Sequence, residues 1–106
     1  MAIINIESEK DFEEKILNTP DLVLIDFFAT WCGPCKMLGK ILENLSEEFE
    51  NFNILKVNID KIPELSLKYS IRSVPAVFFM KNGKIIDQFV GMLSRDELAK
   101  KIKLNL

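Results

Sequence analysis

The stretch Leu22-Val23-Leu24-Ile25-Asp26-Phe27-Phe28-Ala29-Thr30-Trp31-Cys32-Gly33-Pro34-Cys35 holds both cysteines of the chain and changes character halfway along. Residues 22–28 are apolar without alternation, apart from Asp26. An unbroken apolar run of this length reads as a strand covered on both faces. Residues 29–32 read as a loop. Pro34 then suits the first turn of a helix, where its missing N–H would be unpaired anyway. Leu38, Ile41, Leu42, Leu45 and Phe49 follow at helical spacing and mark one apolar stripe. The spacing predicts a helix over 34–49, unbroken through Lys40, with Lys40 on the solvent side.

Two cysteines at the point where a buried strand gives way to a helix have a definite chemistry. A helix start presents unpaired N–H groups and the positive end of the dipole. Cys32 is favoured there as a thiolate, the form that attacks. Cys35, three residues on, lies within disulfide reach across the first turn. Gly33 keeps the approach to the sulfur open, and Pro34 stiffens the turn. Trp31 is either ordinary core or an apolar platform beside the sulfur. Asp26 also has two readings, because a carboxyl in so apolar a strand is costly to bury. It is a strand-end acid that reaches solvent, or a buried acid of raised pKa that passes a proton to and from Cys35.

Working outward, residues 2–6 read as a short edge strand. Ser8-Glu9-Lys10-Asp11 resembles a capping box ahead of a helix with Phe12 and Ile16 on one face. Residues 18–21, with Pro20, form a turn. Residues 53–59 are a further strand, and Pro63 opens a short helix through Leu65 to Tyr69. Strands 76–80 and 85–90 flank Asn82-Gly83, which supplies the left-handed positions of a tight antiparallel hairpin. Ser94 and Glu97 form a capping box for a last helix that turns Leu98 and Ile102 inward. The order is βαβαβ, then α, then ββα. It predicts parallel strands with helical crossovers in the first half and an antiparallel hairpin in the second.

A chain of 106 residues has the length of one domain. Its net charge of −2 comes from mixed acidic and basic residues, so no basic stripe supports a nucleic-acid partner. The longest apolar run is too short to span a bilayer, which excludes a membrane helix. Residues 1–6 lack the regions of a signal peptide, and a cytoplasmic protein is expected. With two cysteines and no histidine, half of a four-ligand zinc site is present, and completing it would take a second copy or carboxylates. A cysteine–histidine nucleophile is excluded within the chain. A purely structural disulfide would close a very short loop and constrain the unfolded chain little.

Trp31-Cys32-Gly33-Pro34-Cys35 resembles the active-site motif of the thioredoxin family. The resemblance extends over the whole chain through Asp26, Lys56, Ser73-Val74-Pro75 and Val90-Gly91. It implies an α/β thioredoxin fold over residues 1–106, a mixed five-stranded central sheet flanked by four helices. It implies a monomeric protein-disulfide reductase that holds no cofactor and binds no metal. Its partners would be disulfide-containing protein substrates and a thioredoxin reductase that renews the dithiol. Catalytic roles are implied for Cys32, Cys35, Asp26 and Lys56. Lys56 either pairs with Asp26 from the neighbouring strand or is a solvated strand lysine. Pro75 is either a strand-edge proline or, as the resemblance implies, the second residue of a cis bond that turns the Val74 backbone toward the cysteines. Ile59, Val74, Pro75, Val90, Gly91 and Met92 are implied as the substrate-binding surface. Phe28, Lys40 and Ala76 depart from the family's usual tryptophan, helix-kinking proline and threonine. An oxidase or isomerase of the same fold, and a binding module that does not use its thiols, are competing readings. Gly33-Pro34, where oxidases more often carry histidine, argues for the reductant. The intact cysteine pair with Asp26 argues against the module.

Overall fold

The computed structural model describes residues 2–19 and 21–106; the turn read at Pro20 and the reading of Met1 lie outside the described residues. The elements run β1 (Ile3–Asn5), α1 (Glu9–Leu17), β2 (Leu22–Phe28), α2 (Gly33–Glu48) and β3 (Phe52–Asn58). They continue with α3 (Pro63–Lys68), β4 (Ala76–Lys81), β5 (Lys84–Val90) and α4 (Arg95–Asn105). The strands form one sheet in the order β1-β3-β2-β4-β5. β1 and β2 run parallel to β3, while β4 runs antiparallel to β2 and β5. A parallel pair cannot be joined by a tight turn, so α1 and α2 serve as crossovers. β4 and β5 can be, and Asn82 (φ 51°) and Gly83 (φ 76°) make that turn. The predicted thioredoxin fold, with its mixed sheet and flanking helices, is the one observed.

The central strand β2 is buried on both faces because each face is covered by helices. Val23, Ile25 and Phe27 pack with Phe12 of α1, Leu65 of α3 and Phe78. Leu22 and Leu24 pack on the other side with Leu38, Leu42 and Leu45 of α2 and Leu98 and Ile102 of α4. Each such side chain contributes roughly 1.5–3 kcal/mol on burial, so the two faces clamp β2. Strand alternation puts Asp26 on the face of Leu22 and Leu24, beneath α2. The order of strands puts Lys56 directly opposite it in the β2–β3 register.

Three local details refine the sequence expectations. The Ser94–Glu97 box is complete, with both reciprocal bonds formed. The box expected at Ser8 is only half made. Ser8 Oγ accepts from the Asp11 N–H, but Asp11 accepts from the Glu7 N–H and not from Ser8. The aspartate arm is one methylene shorter than the glutamate of a full box and meets the preceding amide. A register shift between Phe79 and Met80 leaves Ile86 as an extra residue in β5, so Ile85 and Ile86 are both exposed. Among the described residues no helix is long and apolar enough to cross a membrane.

Candidate active site

The chain leaves β2 at Phe28 and enters α2 at Gly33, so residues 29–32 must turn at the end of the sheet. Cys32 is the N-cap of α2, and its sulfur accepts the Cys35 N–H at 3.1 Å. This sulfur thus sits on an otherwise unpaired donor of the first turn, where negative charge is favoured. Cys32 and Cys35 are joined as a disulfide with Cα atoms 5.2 Å apart. A Cβ on Gly33 would meet nothing of the described residues within 4 Å, so this side of the motif is open.

Both cysteines are buried, Cys35 at 3% and Cys32 at 5%. The bond to Cys35 holds the Cys32 side chain inward, and Ala29, Phe28, Ile59 and Val74 pack around the pair. Trp31, in contrast, is 69% exposed and forms a surface platform, not core. Its indole Nε1–H donates to Asp60 Oδ2 at 3.0 Å. Asn58 Oδ1 in turn accepts the N–H groups of Asp60 and Lys61 and shapes that loop. Asp60 was not among the residues singled out from the sequence, where it is one polar residue among several at a strand end.

The Val74–Pro75 bond is cis, and the Val74 carbonyl oxygen lies 3.8 Å from Cys32 Sγ. The Gly91 N–H donates to the Pro75 carbonyl at 2.8 Å, with Gly91 at φ +90°, where a side chain would be strained. This bond draws Val90 and Met92, both exposed, to the same end of the sheet. Ile59 and Val74 pack directly on the cysteine pair. The substrate-binding residues expected from the sequence are therefore brought together at one rim, with Pro75 buried beneath it.

Asp26 is fully buried, and neither of its carboxyl oxygens accepts a hydrogen bond from the described residues. Lys56 Nζ stands 3.7 Å from Asp26 Oδ2, an ion pair beyond hydrogen-bonding distance. Burial pushes the Asp26 carboxyl up to about 6, and the Lys56 ammonium pulls against that rise. The reading of Asp26 as a strand-end acid in solvent is excluded, as is that of Lys56 as an unpaired lysine. Lys56 Nζ also lies 4.8 Å from the centre of the Phe28 ring. A groove of about 580 Å³ between α2 and the loop after β2 opens Lys56, but not Asp26, to solvent. Phe28, Ala29, Cys35, Gly39, Lys40 and Lys56 are among its lining residues.

The comparisons with known proteins agree with this geometry. The thioredoxin family model matches residues 3–104. The thioredoxin of Chlorobaculum thiosulfatiphilum is 44% identical over 90% of this chain and 89% of its own length. The thioredoxin of Rickettsia bellii is 43% identical over 93% of this chain and 95% of its own. The crystal structure of the reduced thioredoxin pre-protein of Schistosoma mansoni superposes with a TM-score of 0.90 at 34% identity, covering all of both chains. A cysteine pair joined across the first turn of a helix, on this fold and with these relatives, makes the chain a dithiol–disulfide oxidoreductase that reduces protein disulfides, and it belongs to the thioredoxin family.

Proposed function

We propose that Cys32 is the attacking sulfur, Cys35 the resolving one, and Asp26 the group that takes the proton from Cys35. The observation that carries this is the placement of the disulfide on the α2 N-terminus with a buried carboxyl on the strand beneath. The Cys32 thiolate attacks a substrate disulfide; a Cys32–substrate disulfide forms and one substrate thiolate leaves. Asp26, as carboxylate, takes the Cys35 proton. The Cys35 thiolate attacks Cys32 Sγ, the mixed disulfide breaks, and the second substrate thiolate leaves. The substrate has gained two electrons, and Cys32–Cys35 is left oxidised. A carboxyl near 6 is largely ionised at neutral pH yet basic enough to accept a proton, which suits that exchange. Lys56 favours the carboxylate form.

Trp31, Gly33 and Pro34 form the active-site loop in this reading. Ile59, Val74, Pro75, Val90, Gly91 and Met92 bind an extended segment of the substrate, with the Val74 backbone in reach of it as an added strand. The partners are disulfide-containing proteins and, to renew the dithiol, a thioredoxin reductase. Residues 1–106 act as one domain, as a monomer and electron carrier in the cytoplasm, with no cofactor of its own. The mixed charge and the thiol chemistry support that assignment.

An insulin-type disulfide-reduction assay tests the roles. Cys32→Ser should abolish turnover. Cys35→Ser should still attack and should accumulate mixed disulfides through Cys32. Substrate trapped instead on Cys35 in the Cys32→Ser variant would reverse the assignment.

A further inference from the structure

Gly39 lies in the middle of α2, buried, against the tip of the Lys56 side chain. An interior glycine weakens a helix by roughly 0.5–1 kcal/mol relative to alanine, so its presence calls for a local reason. The reason is in the space above it. A Cβ on Gly39 would meet one outside atom of the described residues within 4 Å, the Lys56 Nζ at 3.2 Å. A side chain of α2 at this position would crowd that ammonium from its first carbon onward. The ammonium's other neighbours are the Asp26 carboxyl at 3.7 Å and the Phe28 ring at 4.8 Å.

We propose that Gly39 is a positioning residue for the resolving step: by carrying no side chain it leaves the room, beside the Phe28 ring, in which the Lys56 ammonium is held against Asp26. The inference rests on the reading of Asp26 as the acceptor of the Cys35 proton. A side chain at position 39 takes that room, and the ammonium gives way toward the open groove, where it regains water. Asp26 then loses the nearby positive charge and holds its proton to higher pH. The charged group facing Asp26 is Lys56, opposite it on β3 with its ammonium 3.7 Å away; its partner on β4 is the uncharged Val77. Lys36, Lys40 and Glu43 also line the groove.

The test is an NMR titration of the Asp26 carboxyl in the oxidised protein, where neither cysteine titrates, alongside the pH profile of insulin reduction. Gly39→Leu should raise the Asp26 midpoint by about one pH unit, the effect of moving an ion from 3.7 Å to roughly 6 Å at an effective dielectric of about 20. Gly39→Ala, which favours the helix and keeps the fold, should raise it less and in the same direction. The acid limb of the activity profile should move with the midpoint. In a Lys56→Met background, either substitution should add nothing. An unmoved or lowered midpoint overturns this role of Gly39, as does a further rise in the absence of Lys56. A midpoint that rises while the activity limb stays fixed removes Asp26 from the resolving step, and Gly39 loses its catalytic role with it.

Discussion

Asp26 shows how one buried group couples stability to chemistry. Its carboxyl is raised from 3.8 to about 6, first by burial, with Lys56 opposing. The folded state thus holds the Asp26 proton more tightly than the unfolded chain does. As pH rises from about 4 to about 6, the unfolded chain ionises this group freely and the folded one resists, so stability falls across that window. The displacement corresponds to about 3 kcal/mol, fully present above about pH 6. Asp26→Ala should therefore stabilise the protein at neutral pH. The gain measured by guanidinium unfolding should be about 2–3 kcal/mol larger at about pH 7 than at about pH 4. A variant less stable than the parent at neutral pH would show that the Lys56 pairing outweighs the burial. The same change should slow disulfide reduction. Much of this was legible in the sequence, because a lone acid in Leu-Val-Leu-Ile-Asp-Phe-Phe is an anomaly, and the strand order brings Lys56 beside it. Asp60, the stacking of Lys56 on Phe28 and the room left at Gly39 were not. They depend on how a loop closes and how a helix lies over a strand, which no periodicity records.

At the scale of elements, α2 ties the site to the core, with Cys32 as its cap and Leu38, Leu42 and Leu45 fastened to the sheet. It runs unbroken from Gly33 to Glu48, with Lys40 exposed, as the apolar stripe predicted. A proline at position 40 would remove that residue's N–H from the helical ladder and drive its ring into the carbonyl of Lys36. Lys40→Pro should cost about 3 kcal/mol in chemical denaturation if the helix is held straight by its neighbours. A loss under about 1 kcal/mol would mean that the packing around Gly39 already accepts a bend. Elements with strong periodicity or explicit caps were legible, as the complete box at Ser94 and the Asn82-Gly83 hairpin show. The bulge at Ile86 was not. Ile85-Ile86-Asp87 has no alternation that says which residue is extra, and pairing with Phe79 and Met80 decides it. The box at Ser8 is only half made because an aspartate fits the same pattern as a glutamate but has a shorter reach.

For the whole molecule, the order β1-β3-β2-β4-β5 brings several segments to one end of the sheet. The ends of β2, β3 and β5 and the start of β4 all lie there, which assembles Trp31–Cys35, Ile59–Asp60, Val74–Pro75 and Gly91 from distant parts of the sequence. Such a crevice beyond the carboxyl ends of parallel strands is where open α/β sheets bind. The arrangement also separates the chemistry from the packing. Neither large core cluster contains a cysteine; both sulfurs belong to a small cluster with Ala29 at its rim. A protein that alternates between two redox states needs a fold that holds in both. The disulfide spans a sequence separation of 3, so it removes little freedom from the unfolded chain, at most about 2 kcal/mol by loop closure. Reduction should therefore lower the unfolding free energy by no more than that amount and leave unfolding cooperative. Hydrogen exchange of the β2, β3 and β4 amides should stay slow in both states, with differences confined to residues 29–36, 58–61, 73–76 and 91–92. Exchange that spreads into the central strands on reduction would show that the bond supports the core, contrary to the separation of the clusters.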